Sequence, residues 1–253
     1  NFLKQIDSTI HKQYIFEKFK DGNSGKNFVS EEPKFKFEKP QFNQKLNLLK
    51  SSENEQSKKY LESRKLNPDK FYYVSNFKEW TNSLKKTFDS IEYDEPRIII
   101  PLYYQKRLIG YQGRSIGKSK IKYITVMLEE DVPKIYGYDS INKELPVYVV
   151  EGPFDSNFID NSVALCGSDG DVGCLEGSDL VFVYDNEPRN KEIVRRVGDT
   201  IDRGNKVVIW PNGILEKDIN DMILSGLDPQ SMIKSNTYSG LEAKLKFTTW
   251  KKI

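Results

Sequence analysis

The sequence predicts an α/β protein in which a parallel sheet with flanking helices is preceded by a smaller, basic, mixed α+β subdomain and followed by C-terminal helices. From residue 146 onward, short apolar strands alternate with helical segments, which is typical of parallel sheets. Residues 97–138 instead contain short β-type runs separated by polar turns, which indicates a largely antiparallel sheet. The halves also differ in charge, with 27 basic and 20 acidic residues (+7) in 1–150 against 12 and 17 (−5) in 151–253.

The first half divides into two predicted regions. Residues 1–55 are polar, with a short helical pattern over 2–19 and a proline-spaced stretch at 31–40, and we expect a tail or linker. Residues 56–145 are the predicted basic subdomain. It opens with a helix, KKYLESRKL, then a turn and the aromatic run FYYVSNF, and continues with the strand candidates RIIIPLYY, RLIGYQG, KYITV and PKIYGY.

The second half also divides in two. In residues 146–225 the predicted strands are PVYVVE, SVALC, LVFVYD and KVVIW, with one helix through Phe158 and another from about 188 to 203. Residues 226–253 are the predicted C-terminal helical segment, in which Asp228-Pro229 is a plausible helix start.

The amino-acid composition excludes several kinds of catalytic and metal site. The single histidine, His11, and the two cysteines, Cys166 and Cys174, lie too far apart or at the wrong spacing for triad catalysis or a zinc site. Zinc is therefore not expected in this chain. No apolar run reaches the roughly 18 residues that span a bilayer, so we expect no membrane partner and a cytoplasmic location. Catalysis here would use carboxylates and basic groups.

Three pairs of acidic residues follow predicted strands. Glu151 and Asp155 follow PVYVV, Asp185 and Glu187 follow LVFVY, and Asp218 and Asp221 follow KVVIW. Ligands bind at the carboxyl edge of parallel sheets, and clustered carboxylates repel one another unless a cation is bound. Hard oxygen ligands favour Mg²⁺ or Mn²⁺. The sequence therefore predicts a divalent metal site, although each carboxylate alone is more often a turn or helix-cap residue.

These motifs carry a family resemblance. EGPFD, DNE and KDIND reproduce the order of the Toprim signature, and VYVVEGPFDSNFIDN, VFVYDNEPRN and EKDINDMI resemble segments of the DNA primases of T-even-type bacteriophages. The resemblance implies catalytic roles for Glu151, Asp185 and Glu187, metal binding by these three and Asp218, and secondary acidic positions at Asp155 and Asp221. Compared with bacterial primases, Glu187 replaces an aspartate and Asn220 replaces an acidic residue.

A basic segment precedes the acidic one. Seven basic residues and no acidic residue lie between Arg97 and Tyr123, which suits a phosphate track but also an ordinary lysine-rich sheet face. RIIIP, GYQGR, IKYIT and PKIYGYD resemble the corresponding run in primase polymerase cores. By this match, the candidates for contact with template or nucleotide are Arg97, Arg114, Lys122, Tyr123, Lys134 and, near the acidic motif, Arg189. For the tyrosine, core packing is an equal alternative.

The resemblance covers roughly residues 56–253 and implies a primase core that synthesises short RNA primers on single-stranded DNA. The expected substrates are ribonucleoside triphosphates, joined by metal-dependent nucleotidyl transfer. A replicative hexameric helicase is the implied partner, within a primosome in the host cytoplasm. The zinc-binding module of relatives has no counterpart in these residues.

Two alternatives remain open on the sequence. One is another Toprim enzyme such as a metal-dependent nuclease, since a topoisomerase would need a further domain with a nucleophilic tyrosine. The other is a non-catalytic nucleic-acid-binding module whose carboxylates are structural. Primer growth, template loss or the absence of any metal response separates the three readings.

Overall fold

A computed structural model describes residues 8–20, 46–167 and 172–253. Internal contacts divide the chain into two units, residues 1–40 and 41–253. In the first unit the described part is one helix, α1 (Ser8–Lys20), which overlaps the helical pattern predicted over 2–19. The proline-spaced stretch at 31–40 lies outside the described residues.

The second unit begins with an antiparallel sheet. Five strands pair in the order β1-β2-β3-β4-β5, each antiparallel to its neighbour. The strands are β1 (Leu49–Lys50), β2 (Tyr72–Val74), β3 (Arg97–Tyr104), β4 (Arg107–Ser115) and β5 (Tyr123–Met127). Two helices, α2 (Glu55–Ser63) and α3 (Phe77–Leu84), and two 3-10 helices, Ser51–Glu53 and Pro68–Lys70, lie between the first strands. Because β1 pairs with β2, the antiparallel sheet includes residues before position 56, where the basic subdomain was predicted to begin.

The β3–β4 hairpin is tied to a segment that lies after β5 in the chain. Its turn residues Gln105 and Lys106 both adopt left-handed backbone, with φ of 52° and 64°. Both of their N–H groups donate to the carboxylate of Asp139, at 2.7 and 2.6 Å. This side chain therefore satisfies two turn donors that the ladder leaves unpaired.

Helix α3, which the sequence did not predict, covers one face of the antiparallel sheet. Its Phe77 is buried with Ile99, Tyr111 and Val126. A Cβ at Gly113 of β4 would lie 2.4 Å from Phe77 Cε2. Only glycine allows helix and strand to approach so closely.

A six-stranded sheet follows, with the order β11-β10-β9-β7-β8-β6. The four central strands run parallel, and the two edge strands are antiparallel to their neighbours. Its strands are β6 (Ile135–Tyr136), β7 (Val147–Val150), β8 (Ser162–Leu165), β9 (Leu180–Val183), β10 (Lys206–Val208) and β11 (Thr237–Tyr238). The helices of this half are α4 (Pro153–Ser156), α5 (Lys191–Asp202), α6 (Ile219–Leu224), α7 (Pro229–Ser235) and α8 (Gly240–Trp250), with 3-10 helices at Tyr138–Ser140 and Gly173–Leu175.

The mixed α/β fold agrees with the prediction, and three further details differ. The run PKIYGY, placed by its pattern in the antiparallel sheet, forms β6 and pairs with β8 instead. The helix through Phe158 is shortened to the four residues of α4. Strand β11 was not predicted, because two residues are too few to show a period.

The strand order places a crevice at one point of this sheet. Strand β7 lies between β8 and β9, so the chain passes from β7 to β8 on one side and later returns to β9 on the other. Ligands bind beyond the carboxyl ends of strands at such a switch point. Apolar residues of α5, including Ile193, Val197 and Ile201, pack against the sheet, and each buried side chain contributes about 1.5–3 kcal/mol.

Over the three described ranges, none of the helices combines the length and the apolar character needed to cross a membrane.

Candidate active site

Glu151 and Asp185 meet at the switch point. Val150 is paired with Val183 in the β7–β9 ladder, so the residues that follow both strands leave the sheet side by side. Asp185 N–H donates to Glu151 Oε1 at 3.2 Å. The first two acidic motifs therefore converge on one edge of the sheet.

The third acidic motif reaches the same edge through α6. Asp218 is the N-cap of this helix and accepts a hydrogen bond from Asp221 N–H at 2.7 Å. The next residue but one, Asn220, donates its backbone N–H to Asp155 Oδ1 at 3.0 Å. Asp155, on α4, thus joins the first motif to the third.

The carboxylates of this cluster raise one another's pKa. The pKa of Asp185 is raised to about 8, first by burial and then by the negative charges of Glu151, Asp155 and Asp218. The pKa of Asp155 is raised to about 7, again first by burial and then by Asp218. The pKa of the exposed Asp221 is also raised, by desolvation and by Asp218. Burial and mutual repulsion therefore disfavour the ionised forms of Asp185 and Asp155 when no cation is bound.

Two cationic side chains lie against the cluster. Lys217 Nζ is 3.2 Å from Glu187 Oε2 and 3.9 Å from Asp185 Oδ2. Arg196 Nη1, on α5, is 3.2 Å from Glu151 Oε2. Within the described ranges, no three His, Cys, Asp or Glu side chains are arranged to hold a metal ion. The carboxylate donors suit Mg²⁺ or Mn²⁺ in kind, and ligation would require them to turn away from Lys217 and Arg196.

The segment that carries Asp185 is held on both sides. Trp210 Nε1–H donates to Tyr184 O at 2.8 Å, and Trp250 Nε1–H donates to Asn186 Oδ1 at 3.2 Å. Asn186 Nδ2 donates in turn to Ile214 O at 3.0 Å. These bonds fix the backbone that positions Asp185.

Asn220, which the family resemblance matches to an acidic position, makes structural contacts instead. It is 2% exposed, and it accepts from Arg64 Nη1 at 2.8 Å while its own Nδ2 donates to Arg64 O at 2.9 Å. Only an amide can make both bonds, since a carboxylate has no donor. Asn220 therefore joins α6 to the end of α2 and contributes no ligand.

Arg97, a predicted template contact, is instead an internal residue of the antiparallel sheet. It is 2% exposed, forms an ion pair with Glu95, and donates to Gly113 O and Ile121 O, both at 2.8 Å. Its guanidinium has no surface to offer to nucleic acid. The pattern misled because a buried arginine and a phosphate-binding one look alike in a sequence.

Arg114 lies closer to the acidic cluster. Its guanidinium is 4.5 Å from the ring centroid of Tyr123, and its Nε–H donates to Tyr60 Oη at 3.0 Å. Burial raises the pKa of Tyr123 to about 12, and its ring packs edge-on against Phe154 at 6.3 Å. Tyr123 is therefore a packing residue that supports Arg114.

The other basic candidates are spread over the surface. Lys122 is exposed beside β5, and Lys134 is half-buried before β6, where its carbonyl accepts from Cys166 N–H at 3.0 Å. Arg189 is exposed and lines a cleft of about 430 Å³ shared with Glu187 and Trp250. The structure does not bring these three side chains together.

Residues that the motifs did not indicate also line the site. Gln112 and Arg196 line a pocket of about 270 Å³ between the two sheets, together with the motif residues Tyr123 and Glu151. Nothing in the sequence marked Arg196 as a site residue beyond its place on an amphipathic helix. Lys217 could have been predicted, because it directly precedes Asp218 in the third motif.

Comparisons with known proteins agree with this fold. No protein-family model matches the chain. Among solved structures, it resembles the DnaG catalytic core (TM-score 0.59, 16% identity, 80% of this chain and 79% of that one) and the E. coli primase catalytic core (TM-score 0.56, 15% identity, 80% of each). The Aquifex aeolicus primase, with zinc-binding and RNA polymerase domains, matches with a TM-score of 0.54 and 19% identity. That match covers 73% of this chain and 57% of the other.

The fold is therefore that of primase catalytic cores. The DNA primase of Enterobacteria phage T4 is 34% identical over 272 residues, covering 100% of this chain and 78% of that protein. The chain belongs to this family of DNA primases and is an enzyme of DNA replication, which confirms the resemblance carried by its motifs.

Proposed function

We propose that this primase joins ribonucleotides at the carboxyl edge of its six-stranded sheet, in a Toprim domain of residues 146–225. The observation that carries the proposal is the convergence of three acidic motifs, in which Glu151 accepts from the backbone of Asp185 and Asp155 accepts from that of Asn220. Glu151, Asp185, Glu187 and Asp218 would hold Mg²⁺ or Mn²⁺, with Asp155 and Asp221 as outer acidic groups. The bound cation would supply charge neutralisation for the reacting phosphates.

The chain's own residues have separable tasks. Glu151 would take the proton of the attacking 3′-hydroxyl at a carboxylate oxygen, as a general base, while the new bond to the α-phosphate of the incoming ribonucleotide replaces its bond to the departing pyrophosphate. Asp185 would be held in place by the backbone contacts on either side of it. Arg189, exposed beside Glu187, would contact the triphosphate of a ribonucleotide. Positioning and electrostatics account for most of the catalysis of such transfers.

Single-stranded DNA is the proposed template. One DnaG primase catalytic domain of the same fold is described bound to ssDNA, with a TM-score of 0.54 and 14% identity to this chain. Arg114, with Lys122 and Lys134 further along the surface, would contact its phosphates. Their replacement by methionine should weaken binding and reduce its salt dependence. By family resemblance, we also propose a replicative hexameric helicase as partner and the host cytoplasm as location.

The activity test uses single-stranded template, labelled ribonucleotides and Mg²⁺ or Mn²⁺. Asp185→Asn and Glu151→Gln should each lower dinucleotide formation about 1,000-fold, in line with losses of central electrostatic groups. Asp202→Asn, which removes an exposed carboxylate paired with Lys244, is the matched control and should retain activity. Retained synthesis by Asp185→Asn would reject the site.

The same samples separate the alternative activities. Growth of short RNA indicates a primase, and loss of labelled template indicates a nuclease. Mn²⁺ should raise the melting temperature of the wild type but not of Asp185→Asn. The family assignment favours primer synthesis over nuclease activity and over a non-catalytic module.

A further inference from the structure

The pocket between the two sheets contains a polar group with no partner. Gln112, on β4, is 5% exposed. Its Oε1 is buried and receives no hydrogen bond from any residue that the structure describes. Since buried polar atoms are nearly always paired, such an acceptor points to a donor that lies outside the described residues.

The orientation of this amide is fixed by its neighbours. Thr125 Oγ1–H donates to Cys166 O at 2.9 Å, which uses the only proton of that hydroxyl. Thr125 Oγ1 can then only accept, and it does so from Gln112 Nε2–H at 3.1 Å. If the amide were turned over, its oxygen would face Thr125 Oγ1. Thr125 could then donate either to Gln112 or to Cys166 O, and the other acceptor would lose its hydrogen bond. The oxygen of Gln112 is therefore the unpaired atom, and because it is closed to solvent in the free protein, the side chain must turn toward the pocket to meet a ligand.

The location of Gln112 limits which ligand this is. The pocket of about 270 Å³ is shared with Glu151 and Arg196, and its lining combines the antiparallel sheet with the edge that carries the acidic cluster. This volume is below the usual range of about 300–1,000 Å³ for drug-sized ligands, so it suits one sugar or base rather than a strand. Gln112 offers an acceptor, so the ligand must offer an N–H or O–H donor.

We infer that Gln112 reads the 2′-hydroxyl of the ribonucleotide whose 3′-hydroxyl lies at Glu151. The inference rests on the proposed function, which assigns that 3′-hydroxyl to Glu151. On a ribose the two hydroxyls are adjacent, so a sugar that places one at Glu151 places the other in the same pocket. A deoxyribose has no donor there and leaves the acceptor unpaired, which discriminates against it.

The experiment measures extension of a primer annealed to template, with the 3′-terminal sugar carrying either 2′-OH or 2′-H. The wild type should extend the ribose terminus about tenfold more efficiently, the effect of one neutral hydrogen bond to a buried group. Gln112→Leu should lower kcat/KM for the ribose terminus by that factor and leave the deoxyribose terminus unchanged. Thr125→Val, which frees the amide to rotate, should give an intermediate ratio. Gln13→Leu, on the exposed helix α1, is the matched control.

A measurement on the wild type alone keeps the test valid if Gln112→Leu does not fold. A terminal 2′-fluoro group accepts but cannot donate, so that primer should behave like the deoxyribose primer. A wild type that extends the fluorinated primer as well as the ribose primer overturns the inference.

Other outcomes also reject the 2′-hydroxyl. Equal losses for both sugars in Gln112→Leu would assign the residue a structural role. A changed preference for the terminal base, with the sugar ratio intact, would assign it to base recognition. Glu151→Gln is run in parallel. If it still extends primers, the proposed function fails, and if it is inactive while Gln112→Leu keeps the wild-type ratio, only this inference fails.

Discussion

Both sheets carry charged side chains, but the charges are paired in the antiparallel sheet and lie beside charges of the same sign at the edge of the six-stranded sheet. In the antiparallel sheet, Arg97 pairs with Glu95 and Arg107 Nη1 is 2.7 Å from Glu129 Oε2. At the edge of the six-stranded sheet, carboxylates lie close together, and the pKa of Asp185 rises to about 8, first because its side chain is buried and then because its neighbours repel the charged form. Charge with a fixed internal partner stabilises the fold, whereas crowded charge of one sign is available to bind a ligand.

The largest expected effect concerns the paired charges of the antiparallel sheet. Arg97→Met should lower the free energy of unfolding by about 3 kcal/mol, because it leaves buried carbonyl oxygens and Glu95 without a partner. Chemical denaturation of the metal-free protein measures it. Arg114→Met is the control and should stay near wild-type stability while losing template affinity. Equal stability of Arg97→Met and wild type would contradict the structural role of Arg97.

The second prediction concerns pH and the acidic edge. A raised pKa means that folded Asp185 keeps its proton from about pH 4 to about pH 8 while the unfolded chain, with a pKa near 3.8, releases it. The folded state then binds more protons, so stability falls as pH rises through this window. In Asp185→Asn this fall should shrink by on the order of 2 kcal/mol, allowing for screening.

Melting temperatures of the metal-free proteins between pH 4 and pH 8 give this comparison. Saturating Mg²⁺ should flatten the wild-type curve, since a cation favours the ionised carboxylates. Parallel curves for wild type and Asp185→Asn would show that Asp185 is ionised throughout, and the crowding argument would be wrong.

The smallest expected effect concerns Lys217. Its ammonium contacts Glu187 and Asp185, so it competes with a divalent ion for the same oxygens. Lys217→Met should tighten Mn²⁺ binding about threefold, as for a half-exposed ion pair worth less than about 1 kcal/mol. Electron paramagnetic resonance of free Mn²⁺ measures it. Lys191→Met removes the same charge from the start of α5, and an equal gain in that variant would mean that net charge alone is responsible.

Much of the fold could be predicted because its strands and helices have a regular pattern of apolar residues in the sequence. The run RIIIPLYY gave β3 with its observed ends, and LVFVYD gave the start of β9 but ended two residues too late. Asp228-Pro229 marked the start of α7, where Asp228 accepts from Ser231 N–H. The acidic motifs were also readable, because their positions after strands already imply one shared edge.

The remaining features depend on contacts between residues that are far apart in the sequence, and no local sequence pattern indicates such contacts. Arg97 and Arg114 lie in the same basic run, yet one is enclosed by its own sheet and the other is only partly buried. Whether an arginine meets Glu95 or solvent depends on how β3 and β4 pack. Gln112 was passed over for the same reason, since its role follows from Thr125 and Cys166, 13 and 54 positions away. Asn220 broke the acidic motif and is explained only by its contact with Arg64.

The indole contacts on either side of Asp185 give the enzyme an internal optical probe. Two of its three tryptophans, Trp210 and Trp250, donate to the residues directly before and after this aspartate. Occupation of the acidic edge should therefore alter their ultraviolet emission without any attached label, and Trp250→Phe would leave Trp210 as the nearer reporter. Ligand arrival could then be timed in a rapid-mixing instrument, separately from bond formation.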